Sequence, residues 1–227
     1  GRGLLIAIAL SGLFFAADLA AWHIGILKTK LANATLFANA ASLFFPLWGF
    51  LVARSLPSRR EASAFALAAV GALLLVGRSA ELSRDHLIGD MLCLAAGILY
   101  TAYLIAIARA RQTLSSWSLL SWSTVATIPP LLLIAILLGE QIVPQNWAPV
   151  IALAAVSQLI GQGMMVYALG RVSPLVFGLA LLTQPVVSAT MGWISYGETF
   201  AVPDLIGAAM IGLALLWVRQ PDRSKSD

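Results

Sequence analysis

Residues 4–26 have the sequence LLIAIALSGLFFAADLAAWHIGI, in which Asp18 is the only acidic or strongly basic side chain among 23 positions. As an α-helix this stretch is about 35 Å long, which exceeds the roughly 30 Å hydrocarbon core of a bilayer. A strand of a membrane barrel instead needs about ten residues of alternating polarity, and residues 64–70, AFALAAV, do not alternate. The sequence therefore predicts membrane-spanning helices.

The composition of the whole chain agrees with this prediction. The 227 residues are 60% hydrophobic and only 11% charged, whereas a soluble domain carries roughly 25% Asp, Glu, Lys and Arg. A chain with so few charges cannot cover a water-facing surface, so lipid must surround most of it. Soluble enzymes and nucleic-acid binders are excluded as leading candidates.

Seven further apolar stretches follow, separated by turn residues or charges, and we interpret all eight as spanning helices of an all-α polytopic membrane protein. The predicted spans are 4–26, 32–52, 62–77, 89–109, 116–138, 147–169, 174–196 and 202–219.

The charges between the spans predict the orientation, because short cytoplasmic loops are enriched in Lys and Arg. With the N-terminus in the cytoplasm, ten basic residues fall inside and four outside. The inner set is Arg2, Arg54, Arg59, Arg60, Arg109, Arg111, Arg171, Arg219, Arg223 and Lys225; the outer set is Lys28, Lys30, Arg78 and Arg84. Eight spans return the basic C-terminal tail to the cytoplasm.

An offset of 143 residues aligns the chain with itself, so that Gly49 falls on Gly192 and Lys28 on Arg171. In this register spans 4–26 and 32–52 align with 147–169 and 174–196. Lys28 and Arg171 are expected on opposite sides of the membrane, so the repeat is inverted, a construction typical of secondary transporters. The second copy has five spans and the first only three, and we therefore expect two more helices, about 55 residues, before Gly1.

The residues also resemble a known family. Residues 14–23, FFAADLAAWH, and 31–40, LANATLFANA, resemble the first half of EamA-type members of the drug/metabolite transporter superfamily. Residues 184–187, QPVV, and 196–198, YGE, resemble the end of the second EamA repeat. The resemblance implies two inverted five-helix repeats, with about eight of ten helices present and both termini in the cytoplasm.

The same resemblance implies an organisation and a function. Residues 1–78 would be the last three helices of the first repeat, 79–88 a linker, 89–219 the second repeat and 220–227 a basic tail. The expected protein is not an enzyme but a secondary transporter of the bacterial inner membrane. Its substrates would be small organic metabolites such as amino acids, amines or drug-like compounds, moved by alternating access with proton coupling or exchange.

Asp18 is the first candidate site residue, because an ionised carboxylate near the middle of a span costs roughly 2.5 to 3.5 kcal/mol. It either carries a coupling proton or a cation, or is held to a neighbouring helix by hydrogen bonds. Trp22 lies one turn further along the same helical face.

Other polar side chains lie in two further groups, each of which either lines a cavity or makes hydrogen bonds between helices. Thr35, Asn39 and Ser42 form a stripe along one helix, and Pro46 follows one turn later. The second group is Gln158, Gln162 and Gln184.

Tyr100 and Tyr103 share one face of their span and, together with Trp22, either form an aromatic wall for an organic substrate or simply pack. The candidate substrate or coupling residues are Asp18, Trp22, Thr35, Asn39, Ser42, Tyr100, Tyr103, Gln158, Gln162 and Gln184.

Two other classes of function stay open. An integral-membrane enzyme is disfavoured because the two histidines, His23 and His86, lie in no metal-ligand spacing. We therefore expect no catalytic residue, metal or cofactor, and as partners only a small-molecule substrate and the lipid bilayer. The remaining alternative is a non-transporting membrane scaffold or a fragment.

Overall fold

The computed structural model describes residues 1–29, 31–77, 84–187, 190, 194 and 202–219. Several predictions fall outside this part of the chain: the outer charges Lys30 and Arg78, residues 79–83 of the linker, the YGE sequence at 196–198 and the tail at 220–227.

The first part of the chain folds into four helices. They are α1 (Arg2–Ile26), α2 (Leu31–Ala38), α3 (Ala41–Ala53) and α4 (Arg59–Gly77). A single 3₁₀ turn, Arg84–His86, leads into the second part.

The described residues of the second part form six helices with both ends defined, a short helical stretch at 184–187 and one π-helical segment. The helices are α5 (Leu87–Ala110), α6 (Ser116–Leu137), α7 (Trp147–Leu153), α8 (Gly163–Leu169), α9 (Pro174–Leu181) and α10 (Val202–Arg219). The π-helical segment Ala154–Gln162 joins α7 to α8, so residues 147–169 form one continuous helical rod.

All eight predicted spans contain helix, and the described residues contain no strand. Within the described ranges, five helical stretches are long and apolar enough to cross a bilayer. They are Arg2–Ile26, Asn33–Ala53, Arg84–Ala110, Ser116–Leu137 and Trp147–Leu169. The predicted all-α polytopic membrane fold is confirmed.

Helix α1 packs along α5 and α6. Glycines allow this close approach: a Cβ at Gly12 would stand 2.5 Å from the Ala126 carbonyl oxygen of α6, and one at Gly25 would stand 2.7 Å from Cys93 Sγ of α5. Small residues let membrane helices approach until their backbones touch, which increases dispersion contacts between them.

The other main contacts pair α4 with α10 and α3 with α9. Ala64, Ala68 and Ala72 of α4 are buried against Ile211 and Ala214 of α10. In the 143-residue repeat α4 corresponds to α10, whereas α9 corresponds to α2, so α3 packs against the first half of the span that is equivalent to its own.

The outer surface of the bundle is strongly apolar. Leu5, Leu137 and Leu216 are 68%, 75% and 65% exposed. Such a surface would aggregate in water, whereas lipid chains solvate it without cost.

Candidate functional site

Two of the spanning stretches are broken in the middle. The first break is the turn at Asn39 and Ala40, between α2 and α3; the second is the turn at Leu182 and Thr183, after which the helix resumes over residues 184–187. The two breaks are 143 residues apart, which is the register of the sequence repeat. Each of the predicted spans 32–52 and 174–196 therefore contains a turn within its helical stretch.

Prolines explain why the helices break here. Pro46 has no N–H for the Ser42 carbonyl, and Pro185 has none for the Leu181 carbonyl, so each helix loses a hydrogen bond just beyond its break. Unpaired backbone groups are costly inside a bilayer unless protein atoms satisfy them or they line a cavity.

Short polar side chains satisfy carbonyl groups at both breaks. Asn39 Nδ2 donates to the Thr35 carbonyl at 2.8 Å, and Ser42 Oγ donates to the Asn39 carbonyl at 2.6 Å. At the second break Thr183 Oγ1 donates to the Ala180 carbonyl at 2.7 Å. The polar stripe predicted along 35–42 is thus used in part to stabilise an irregular backbone.

The two breaks open onto one cavity of about 350 Å³, which we call the break cavity. Its lining residues are Trp22, Thr35, Ala38, Asn39, Thr183, Gln184 and Val187. Four candidate residues from three predicted spans, Trp22, Thr35, Asn39 and Gln184, therefore meet around one space. Its volume lies within the range of small-molecule sites, about 300–1,000 Å³.

A second group of candidate residues lies between α1 and α5, and we call it the tyrosine cluster. Phe15 stacks on Tyr103 with ring centroids 4.7 Å apart, and Tyr103 stacks on Tyr100 at 5.6 Å. The Tyr100 hydroxyl faces the amide of Gln162, and Tyr103 faces the Ser123 hydroxyl. The predicted aromatic wall is thus a stacked and packed arrangement.

Two further polar side chains border the tyrosine cluster. The Ser123 hydroxyl of α6 hydrogen-bonds with the Ser11 hydroxyl of α1 at 2.9 Å and so links these two helices. Gln162 Oε1 is buried without a hydrogen-bond partner among the described residues.

Asp18 connects the two groups. It is 9% exposed and lies within electrostatic reach of both Tyr100 and Tyr103. Trp22, one helical turn further along α1, lines the break cavity. Within the described part of the chain Asp18 makes no side-chain hydrogen bond or ion pair, so the hydrogen-bonded alternative for this carboxylate finds no support there.

Two candidate residues lie elsewhere. Ser42 is buried where α3 crosses α9, and its carbonyl faces Gly178 rather than the cavity. Gln158 is half-buried in the π-helical segment and does not line the break cavity.

A third polar cluster was not predicted. Asp90, in the first turn of α5, is 5% exposed and accepts hydrogen bonds from Thr29 Oγ1 at 2.5 Å and Asn33 Nδ2 at 3.0 Å. It ties the start of α2 to α5. An acidic residue at the second position of a predicted span is the signal that could have identified it, since Asp and Glu are stabilising near helix N-termini.

A larger cavity lies away from these groups. It measures about 550 Å³ and opens at the end of α3, where Arg54 and Glu61 are its charged lining residues. Its remaining lining is mainly apolar, and it lies beside the loop between α3 and α4. The smaller break cavity is the better candidate for a substrate site, because side chains with hydrogen-bonding groups from three different spans converge there.

Metal-binding residues do not cluster in the part of the chain that is described: no three His, Cys, Asp or Glu side chains come together there. Cys93 is a free, buried thiol against α1.

The helical spans and their lipid-facing surface define a polytopic integral membrane protein. The profile of the EamA-like transporter family matches residues 87–220, more than half of the chain, and the chain therefore belongs to that family. This family lies within the drug/metabolite transporter superfamily.

Comparison with other proteins gives a fold relationship but no specific function. No curated protein matches the sequence. Among solved structures, 21 chains match. One of them, a crystal structure of a protein whose title gives no function, superposes with a TM-score of 0.71 over 93% of this chain and 87% of its own, at 15% identity.

Proposed function

We propose that the chain forms a secondary transporter of small organic metabolites that works by alternating access, with the break cavity as its substrate site. The observation that carries this proposal is the meeting of two helix breaks, 143 residues apart, at one polar cavity. Discontinuous helices at the interface of inverted repeats are where secondary transporters bind their substrates.

Asp18 supplies the coupling group in this proposal. A carboxylate without a protein partner can exchange a proton or a cation as the cavity opens to either side of the membrane. The titratable groups that face it are Tyr100 and Tyr103. The exposed His23 ring forms a hydrogen bond between its Nδ1 atom and the Leu19 carbonyl oxygen, 2.6 Å apart.

Transport by reconstituted protein tests this role. We expect Asp18→Asn to abolish uptake driven by a pH gradient while leaving substrate exchange largely intact. Asp85→Asn is the matched control, because Asp85 is an exposed carboxylate in the 3₁₀ turn that precedes α5. Failure of the unmodified protein to move any member of a broad metabolite panel would refute the transporter, and normal coupled uptake by Asp18→Asn would refute only the coupling role.

The proposal includes the domain organisation expected from the repeat: 1–78 and 89–219 as parts of two copies, with a linker at 79–88. It is supported by the two helix breaks, which occupy equivalent positions of the repeat, 143 residues apart.

We assign the protein to the bacterial inner membrane with its C-terminus in the cytoplasm. The support is the excess of Lys and Arg in the loops on one side. Membership of a transporter family and the absence of a metal-ligand cluster from the described residues favour transport over an integral-membrane enzyme. Substrate recovered chemically unchanged after uptake would separate the two classes.

A further inference from the structure

A narrow groove of about 320 Å³ lies between α1 and α5, which we call the α1–α5 groove. On α1 its lining begins at Gly3 and ends at Phe14, and on α5 it includes residues from Ala102 onward. The α1 part is about 16 Å long at 1.5 Å per residue. Half of the hydrocarbon core of a bilayer is about 15 Å thick, so the groove covers the depth of one lipid leaflet.

The shape of the α1–α5 groove suits a hydrocarbon chain. A volume of about 320 Å³ spread over about 16 Å gives a mean cross-section of about 20 Å². A helix with its side chains is about 10–12 Å across, which is too wide for this space. The lining is almost entirely apolar, with the small side chains of Ala7, Ala102 and Ala106 and the exposed side chains of Ile6 and Leu10. An extended acyl chain would contact apolar atoms along its whole length.

One end of the groove carries a positive charge. Among its described lining residues, Arg109 in the last turn of α5 is the only charged one. Arg109 is exposed, and its guanidinium group makes no hydrogen bond or ion pair within the described part of the chain. A neighbouring cavity of about 300 Å³, which Arg109 also lines, contains Trp48 and Gln112. Trp is enriched at the level of the lipid headgroups, so this end of the groove is expected at the membrane–water interface.

From the shape and the charge together we propose that the α1–α5 groove binds a phospholipid with an anionic headgroup, with one acyl chain along the groove and the phosphate beside Arg109. Guanidinium groups match the geometry of phosphate oxygens. Basic pockets between membrane helices on the cytoplasmic side bind anionic headgroups, and the orientation proposed above places Arg109 on that side. The site is independent of the proposed transport function, because no residue lines both this groove and the break cavity.

Native mass spectrometry of the purified full chain tests the charge, with dioleoyl phosphatidylglycerol and dioleoyl phosphatidylcholine as probes. The two lipids have the same acyl chains, and only the first has a net charge. We expect phosphatidylglycerol to bind about fivefold more tightly, which is the effect of one basic side chain at an anionic lipid surface. Arg109→Gln should remove this preference. Arg59→Gln, at an exposed arginine that does not line the groove, should preserve it.

A second pair of variants tests the place of the acyl chain. Ala102→Phe fills the groove and should weaken the binding of both lipids, whereas Ala9→Phe, at an exposed position of α1 outside the lining, should change neither. Thermal unfolding of each variant shows whether it is folded. Arg109→Gln adds no bulk, so it tests the site even where Ala102→Phe fails to fold.

Four results would overturn the lipid site. They are equal affinity for the two lipids, an Arg109→Gln protein that keeps the preference, competition by glycerol 3-phosphate at the affinity of the whole lipid, and no lipid binding by the unmodified chain. If Ala102→Phe dissociates a dimer and leaves lipid binding unchanged, a second copy of the chain occupies the groove and the proposal is wrong.

Discussion

Replacing Gly178 by alanine tests the close crossing of α3 and α9 beside the helix breaks. A Cβ at this position would stand 2.7 Å from Pro46 Cδ and 2.7 Å from the Ser42 carbonyl oxygen, and closer still to Pro46 Cγ. Ordinary contacts begin at 3.4 Å, so the helices must separate by about 0.7 Å or more. A proline ring and a backbone oxygen cannot rotate out of the way.

We expect this overpacking to cost about 1–3 kcal/mol. At about 2–4 °C per kcal/mol for a chain of this size, the melting temperature should fall by about 2 to 12 °C. Gly212→Ala is the matched control, because a Cβ there meets nothing within 4 Å and alanine is the better helix former.

The assay is thermal unfolding of both variants in the same detergent. Because both changes add the same methyl group to a helix, the difference between the two melting temperatures isolates the α3–α9 contact. A Gly178→Ala protein that melts together with Gly212→Ala, or above it, would refute the described crossing.

Three further predictions concern the polar contacts and the topology. Asp90→Ala should lower the melting temperature, because losing its hydrogen bonds costs about 1.5–3 kcal/mol of unfolding free energy. Asp85→Ala should leave the melting temperature unchanged, and equal melting of the two variants would contradict the Asp90 cluster. A double-mutant cycle of Ser11→Ala and Ser123→Ala should give a coupling energy of about 0.5–1.5 kcal/mol, and strict additivity would contradict their hydrogen bond. In a cysteine-free background, an impermeant thiol reagent should label a cysteine at Asp85 in intact cells and one at Ser58 only after permeabilisation; the opposite pattern would invert the topology.

The sequence located the helix breaks only approximately. Pro46 and Pro185 both indicate a lost hydrogen bond, but the residues that leave the helix lie further back, at 39–40 and 182–183. Which residues do so depends on side-chain bonds such as Asn39 to the Thr35 carbonyl and on the crossing at Gly178. The pattern of apolar residues cannot predict such contacts, and it therefore does not locate the turns to the residue.

The candidate site was predictable in its residue types and only partly in its arrangement. Polar side chains inside apolar spans had to face the interior, and four of them do meet at one cavity. No residue pattern in AAVSQLIGQ, residues 154–162, distinguishes the π-helical segment from an ordinary α-helix. Asp90 was overlooked because a charge at the end of a span costs little, and its burial arises from residues of another loop.

The most direct test of the account is the accessibility of the break cavity from both sides of the membrane. Single cysteines at Asn39 and Gln184, in a cysteine-free background that still transports, would be exposed to a charged thiol reagent added to one side at a time. Alternating access predicts labelling of both positions from either side, and no labelling of a control cysteine at the exposed, apolar Leu213. Labelling of neither position, or of both from one side only, would contradict the central claim that the paired helix breaks form the transport site.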